Sequence, residues 1–159
     1  MAKFKLDEVD HQILDMLIDN TRIPFTDIAK KLLISAGTVH VRVKKMEEAG
    51  IIRGSSLTLD YKKLGYSFIA YVGDFLQNTS QTKFVLARIN EIPYVTVAHI
   101  TTGKFNIFCK IRAKDTMHAK EIIFQLDDIE GVYRTETMIS LEESLNDKKR
   151  LMHTIFNEL

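Results

Sequence analysis

Ser35-Ala-Gly-Thr-Val-His-Val-Arg-Val-Lys-Lys-Met-Glu-Glu-Ala-Gly50 decides how the rest of the chain is read. The stretch is a helix with a marked start and stop. The Ser35 hydroxyl can accept from the unpaired N–H groups of a first turn, which makes it a good N-cap. Gly50 suits the left-handed position that ends many helices. At about 100° per residue, Val39, Val43 and Met46 share one side. Gly37, Thr38, Val41, Lys44 and Lys45 share the other, with His40 and Arg42 on the flanks. The outer face is therefore small and neutral at its start, carries an exposed valine in its middle, and becomes cationic further on. Short side chains for a groove followed by charges for phosphates would produce this order. A solvated amphipathic helix with a few lysines would also produce it, so the neighbouring segments must decide.

Upstream, Val9, Ile13, Leu14, Leu17 and Ile18 recur at helical spacing over residues 7–20, with Asp7 and Glu8 favouring the helix start. Thr21-Arg-Ile-Pro24 breaks the pattern. A second short helix then runs from Phe25 or Thr26 to Lys31, with Thr26 the expected N-cap and Ile28, Ala29 and Leu32 turned inward. Two helices joined by the few residues Leu33-Ile34 are a helix-turn-helix by spacing, although that turn holds no glycine. Downstream, Ile51-Ile52 and residues 57–59 are short β-prone pieces around Gly54-Ser55-Ser56, which predicts a winged extension. Arg53 beside that turn could meet a phosphate or stay a solvated edge charge.

Composition limits the alternatives. The chain has 159 residues, a net charge of +1 and 45% apolar residues, enough for one large domain or two small ones. Cys109 is the single cysteine, which excludes an internal disulfide framework and fits a reducing, cytoplasmic setting. No apolar run approaches the roughly 18 residues of a membrane span, and the N-terminus lacks a signal-peptide core. The overall charge does not favour nucleic acid, but its distribution does. Between Lys30 and Arg53 the basic residues Lys30, Lys31, Arg42, Lys44, Lys45 and Arg53 face only Glu47 and Glu48.

The second half reads as β-α-β-β-α-β. Residues 66–77 are aromatic and β-branched; Asn78-Thr-Ser80 cap a helix to about Glu91, stopped by Pro93. Residues 94–101 form a strand, and Thr102-Gly103-Lys104 turn the chain. Phe105, Ile107, Cys109 and Ile111 then alternate strictly with Asn106, Phe108, Lys110 and Arg112. Asp115 or Thr116 caps a second helix, and residues 132–141 make the last strand. This is the split-βαβ, ferredoxin-like order. The expected divisions are a winged helix-turn-helix over 1–60, a linker over 61–65, the βαββαβ domain over 66–142 and a tail over 143–159. Apolar residues fall on the uncovered sheet face in either register, which predicts burial against a second copy. In the tail, Leu145, Met152, Ile155, Phe156 and Leu159 predict a weak helix, with Lys148, Lys149 and Arg150 unfavourably placed in its first turn.

Chemistry-bearing patterns are sparse. The five histidines are scattered and Cys109 has no partner at metal-ligand spacing, so no metal site is expected. His99 reads as a packed strand histidine, and His11 and His118 as helix-surface residues. There is no phosphate loop, nucleotide fingerprint or nucleophile motif. Cys109 is expected to be inert core.

Several strings, taken with the architecture, resemble one family. They are Leu6-Asp7 with Asp10 and Ile13-Leu14, then Ile28-Ala29-Lys30, the whole of 35–54, Leu64-Gly65-Tyr66, Thr101-Thr102-Gly103 and Thr135-Glu136-Thr137. In this order they resemble the Lrp/AsnC (feast/famine) transcriptional regulators over essentially the whole chain. Gly37-Thr-Val-His-Val-Arg-Val43 and Thr101-Thr-Gly-Lys-Phe105 resemble its AsnC branch. The resemblance implies an α+β protein, a winged helix-turn-helix followed by a ferredoxin-like, RAM-type sensing domain. It implies a homodimer, with an octamer the larger form, on roughly palindromic double-stranded DNA. Two recognition helices would then enter major grooves about 34 Å apart. Ser35 would position the reading helix, Gly37, Thr38, His40 and Val41 would face base edges, and Arg42, Lys44, Lys45 and Arg53 would bind phosphates.

No cofactor is implied beyond a small amino-acid effector, with asparagine the first candidate. That effector would sit around His99, Thr101, Thr102, Gly103, Lys104, Phe105, Asn106, Thr135 and Thr137. Gly103 would let the backbone approach a carboxylate. Many relatives have an aspartate where this chain has Asn106, which removes a charge that would pair with an amino group. A plain hairpin turn is the structural alternative for the loop. Two other functions remain open on the sequence: a tetrapyrrole decarboxylase-like enzyme on the same two-domain plan, and a subunit that modulates paralogues in mixed oligomers.

Overall fold

In the computed structural model the chain is described over residues 5–147 and 150–157, without the side chains of His153, Phe156 and Asn157. Lys148, Lys149 and Leu159 and the Phe156 side chain, invoked for the tail, lie outside the described residues. The chain divides into two units, 1–58 with 145–159, and 59–144. The division therefore falls at Thr58/Leu59. The turn over 61–65 belongs to the second unit, where the Tyr66 N–H donates back to the Tyr61 carbonyl at 2.8 Å. Residues 145–159 group with the first unit.

The first unit holds helices α1 (Glu8–Asp19), α2 (Phe25–Leu32) and α3 (Ala36–Glu48), and the tail helix α6 (Arg150–Asn157), which runs beside α1. Asp7 caps α1 through a reciprocal box, each of Asp7 and Asp10 accepting from the other's backbone N–H at 2.9 and 3.1 Å. Thr26 is not the N-cap of α2. Pro24 takes that position, its fixed φ of −62° leading into the helix without a side-chain cap. Ile13, Leu14, Ile28, Ala29, Val39, Val43 and Met46 close the core. The turn without glycine is made by Leu33 in the left-handed region (φ 55°), a strained position for an L-residue with 93% of its surface exposed. Gly50, at φ 72°, ends α3 as its residue type predicts.

The wing strands do not form. The Ile51 and Ile52 N–H groups both fold back onto the Met46 carbonyl, and residues 53–60 run on without a β-ladder among the described residues. An isolated two-stranded hairpin is marginal in water, and among the described residues no third strand lies beside this segment.

The second unit is the expected β-α-β-β-α-β: β1 (Phe68–Leu76), α4 (Thr82–Ile89), β2 (Val95–Ile100), β3 (Ile107–Ala113), α5 (Thr116–Asp127) and β4 (Val132–Ile139). The sheet order is β2-β3-β1-β4, antiparallel throughout. The helix expected from Asn78 begins instead as a 3-10 turn (Thr79–Gln81), with the Asn78 side chain accepting from the Ser80 N–H, and α4 ends before Pro93. Ala70, Val72, Ile107, Cys109 and Ile111 meet Val85, Ile89, Ile122 and Leu126 between sheet and helices. Phe105 departs from its predicted place among the inward residues. The regular ladder starts only at Ile107, and the Phe105 ring lies on the opposite face, stacked 5.7 Å from Phe108 and edge-on to Phe75 at 5.2 Å.

Candidate nucleic-acid interface and sensing loop

The outer face of α3 is built from its N-cap outward. Ser35 Oγ accepts from the Thr38 N–H at 3.0 Å and lies 2.8 Å from Thr38 Oγ1, so the first turn and the Thr38 hydroxyl are fixed together. Gly37 adds no side chain beside them. Val41 stands 51% exposed one turn on, although burying an isopropyl group would be favourable. His40 is exposed and lies at 6.1 Å, tilted, from the Phe25 ring. Lys44 reaches Glu48 only at 4.0 Å, and Lys45 and Arg53 have no ion pair among the described residues. These cations are free to meet phosphates at small cost.

Arg42, expected to meet a phosphate, has two acidic partners within the chain. Its Nη1 donates to Asp7 Oδ2 and Asp10 Oδ1, both at 2.7 Å, and Asp10 is buried. The Asp10 backbone N–H and the Arg42 guanidinium hold the Asp7 carboxyl below the usual carboxylate range, and the two carboxylates raise the Arg42 guanidinium in turn. The sequence missed this triad. The acidic pair in Leu6-Asp7-Glu8-Val9-Asp10 was its visible half, but the pairing spans more than thirty residues.

The loop over 101–106 in the second unit is held from within. The Thr101 hydroxyl donates to the Phe105 carbonyl, and the Thr101 N–H donates to the Asn106 carbonyl at 3.1 Å. The Asn106 N–H donates to the Asp74 carbonyl at 3.0 Å, and Asn106 Oδ1 accepts from the Leu76 N–H at 2.9 Å. Lys104 Nζ donates to both oxygens of Glu136 at 2.6 and 2.9 Å and lies over the Phe75 and Phe105 rings. Arg134 also donates to Glu136, so Lys104 and then Arg134 hold its carboxyl below the usual range. The Thr135 hydroxyl donates to Asp127, Thr137 lies near Phe68 and Ile139, and His99 pairs with Phe108 on the edge strand. Gly103 stands in open space at an ordinary φ, so its missing side chain serves no local contact.

Two residues under this loop were missed. Gly73 admits the Phe105 ring, since a Cβ there would lie 2.3 Å from it. Asp74 is fully buried on the helix side, with Cys109 Sγ donating to Oδ2 at 3.4 Å and Oδ1 unpaired. Burial, opposed by that thiol and reinforced by Asp127, pushes the Asp74 carboxyl up to about 7, and burial likewise drives the Cys109 thiol up. The signal was legible: a glycine and an acid in the middle of an apolar strand need a packing or polar reason. Among the described residues no cluster of His, Cys, Asp and Glu could hold a metal ion, and no helix is long and apolar enough to cross a membrane.

Comparison with known proteins agrees with both halves. Residues 6–53 match the winged helix-turn-helix DNA-binding family, and residues 71–149 the Lrp/AsnC ligand binding domain. The regulatory protein AsnC of Escherichia coli K12 is 32% identical over 146 residues, covering 91% of this chain and 96% of that protein. The solved E. coli AsnC structure superposes with a TM-score of 0.88 at 31% identity, over 91% of this chain and 98% of the other. The regulator LrpA of Pyrococcus horikoshii is 36% identical over 140 residues, 87% of this chain and 98% of its own. A Neisseria meningitidis transcriptional regulator solved with L-Met shares the fold, with a TM-score of 0.85 at 20% identity over 91% and 95% of the two chains. On these matches at both ends, the chain belongs to the Lrp/AsnC family of transcriptional regulators.

Proposed function

We propose that this DNA-binding regulator reads its operator through the outer face of α3 and is tuned by a small amino acid held at the loop over 101–106. Gly37, Thr38, His40 and Val41 meet base edges, while Lys44, Lys45 and Arg53 meet phosphates. The observation that carries this reading is the half-exposed Val41, set between a capped, short-side-chain turn and the lysines Lys44 and Lys45, of which only Lys44 has a partner, Glu48 at 4.0 Å, among the described residues. A thymine methyl or the groove wall is the natural cover for such a valine. The working form is a cytoplasmic homodimer or a larger ring. Tyr71 and Phe108, stacked at 5.7 Å on the face away from the helices, are part of the apolar surface a second copy would cover. Two α3 helices then require a roughly palindromic site.

The relatives are regulators, and the decarboxylase alternative has no support among them. Lys44→Ala should weaken binding to every duplex alike and flatten the salt dependence by about one ion per protomer. Fluorescence anisotropy across a salt series measures this, and an unaltered slope removes Lys44 from the interface. For the effector, a thermal-shift screen of the amino acids, with mass measured by light scattering, tests the loop. Asparagine and L-Met are the first to try, the latter because the Neisseria regulator was solved with it.

A further inference from the structure

We infer that Arg42 is a positioning residue for DNA reading: tied to Asp7 and Asp10, it fixes the rotation of α3 about its own axis and makes no phosphate contact. The geometry is a closed circuit. In the capping box of α1, Asp7 Oδ1 and Asp10 Oδ2 each accept a backbone N–H. The remaining oxygen of each carboxylate accepts from the same nitrogen, Arg42 Nη1, at 2.7 Å. One guanidinium nitrogen therefore joins the start of α1 to the middle of α3. Asp10 is 5% exposed, so its charge is desolvated and depends on that partner.

The position of Arg42 in the chain gives the circuit its effect. It follows Val41, which is exposed, and precedes Val43, which is in the core. Val39, Val43 and Met46 set how deeply α3 packs, but apolar contact is non-directional and tolerates small rotations. Charge-assisted hydrogen bonds are directional. A rotation of about 10° moves side-chain ends near the helix surface, about 5 Å from the axis, by about 1 Å. That is enough to misplace Thr38 and Val41 against base edges, whose hydrogen bonds have a narrow distance range. The charge balance points the same way. Two carboxylates enclose one guanidinium, so the group carries net negative charge and would be repelled by a phosphate, unlike Lys45 one turn on.

The inference rests on α3 being the helix that enters the groove, and the experiment separates the two ideas. The probe is the duplex that the full-length protein enriches from a randomised 30-base-pair pool, with sonicated calf thymus DNA as the non-specific competitor. Arg42→Ala and Asp10→Asn should each lower the specific-to-non-specific affinity ratio roughly tenfold, about the loss of one correctly read base pair. Both should leave the salt slope unaltered, and the double variant should be no worse than either single one. A slope flattened by about 0.9 on both DNAs for Arg42→Ala alone makes Arg42 a phosphate contact and overturns the inference. If Lys44→Ala and Lys45→Ala also leave the slope unaltered, the reading of α3 fails instead. Should Arg42→Ala not fold, Asp7→Asn carries the test, since asparagine still caps α1. It should lower the ratio by a smaller factor, and an unaltered ratio overturns the inference.

Discussion

Replacing Asp74 by asparagine should change the protein's stability relative to wild type in favour of the variant as pH rises. Asp74 has no exposed surface, one carboxylate oxygen meets only the Cys109 thiol, and the other has no hydrogen-bond partner. Burial pushes its carboxyl from 3.8 to about 7. A carboxyl raised in the folded state binds its proton more tightly there than in the unfolded chain. Its stability is fully present below about pH 4 and is lost as pH rises through about 7. Taking the rise from 3.8 to about 7 at about 1.4 kcal/mol per pH unit, the loss approaches 4 kcal/mol at neutral pH. Asparagine has nearly the same shape and does not titrate. Its amide needs partners of its own, which costs about 1–3 kcal/mol at every pH. The decisive quantity is therefore the pH dependence of the difference between variant and wild type. Urea unfolding followed by far-UV circular dichroism suits a chain without tryptophan. Between about pH 5 and 8 the advantage of Asp74→Asn should increase by about 3 kcal/mol. Parallel stabilities over that range would mean that Asp74 ionises in the folded state without penalty, and the account of its burial would be wrong.

Three further outcomes test other parts of the fold. Gly73→Ala should cost about 1–3 kcal/mol by forcing the Phe105 ring aside, and amide NMR shifts over 101–106 should report the displaced loop. Leu33→Gly should stabilise the first unit by up to about 1 kcal/mol, because it relieves a left-handed leucine that packs against little, and a lower melting temperature would contradict this. Ser35→Ala should lower the melting temperature by the equivalent of about 1 kcal/mol and weaken DNA binding further, since it also frees the Thr38 hydroxyl.

What was legible in the sequence followed local periodicity. Val39, Val43 and Met46 on one side of α3, and Ile107, Cys109 and Ile111 on one side of β3, lie where their spacing puts them. Strong residue preferences also held, as at Ser35, Asp115 and Gly50. Long-range pairing was not legible. Arg42 has the spacing of a phosphate contact, and only the folded chain brings Asp7 and Asp10 to it. Phe105 continues an alternating pattern, yet the chain irregularity before Ile107 and the space over Gly73 put its ring on the other face. The missing β-ladder over 51–60 has a related reason. β-prone residues at 51–52 and 57–59 describe what a strand would contain, but not whether a third strand exists to support it.

The same contrast holds at the loop over 101–106. From the sequence, Asn106 looked like a weakened version of an acid that would hold an amino group. In the fold its carbonyl is already occupied by the Leu76 N–H, so it serves to close the loop onto β1. The neighbouring acids are committed as well, Glu136 to Lys104 and Arg134, and Asp127 to the Thr135 hydroxyl. An ammonium group arriving at this loop would have to break an existing ion pair before gaining one. A carboxylate would not, because Thr102 and Gly103 have backbone N–H groups with no hydrogen bond among the described residues, and Lys104 adds positive charge beside them. Discrimination between amino acids at such a site would therefore come from the side-chain end of the ligand. Phe75 and Phe105, with their rings 5.2 Å apart edge to face, are the apolar surface nearest to hand for it.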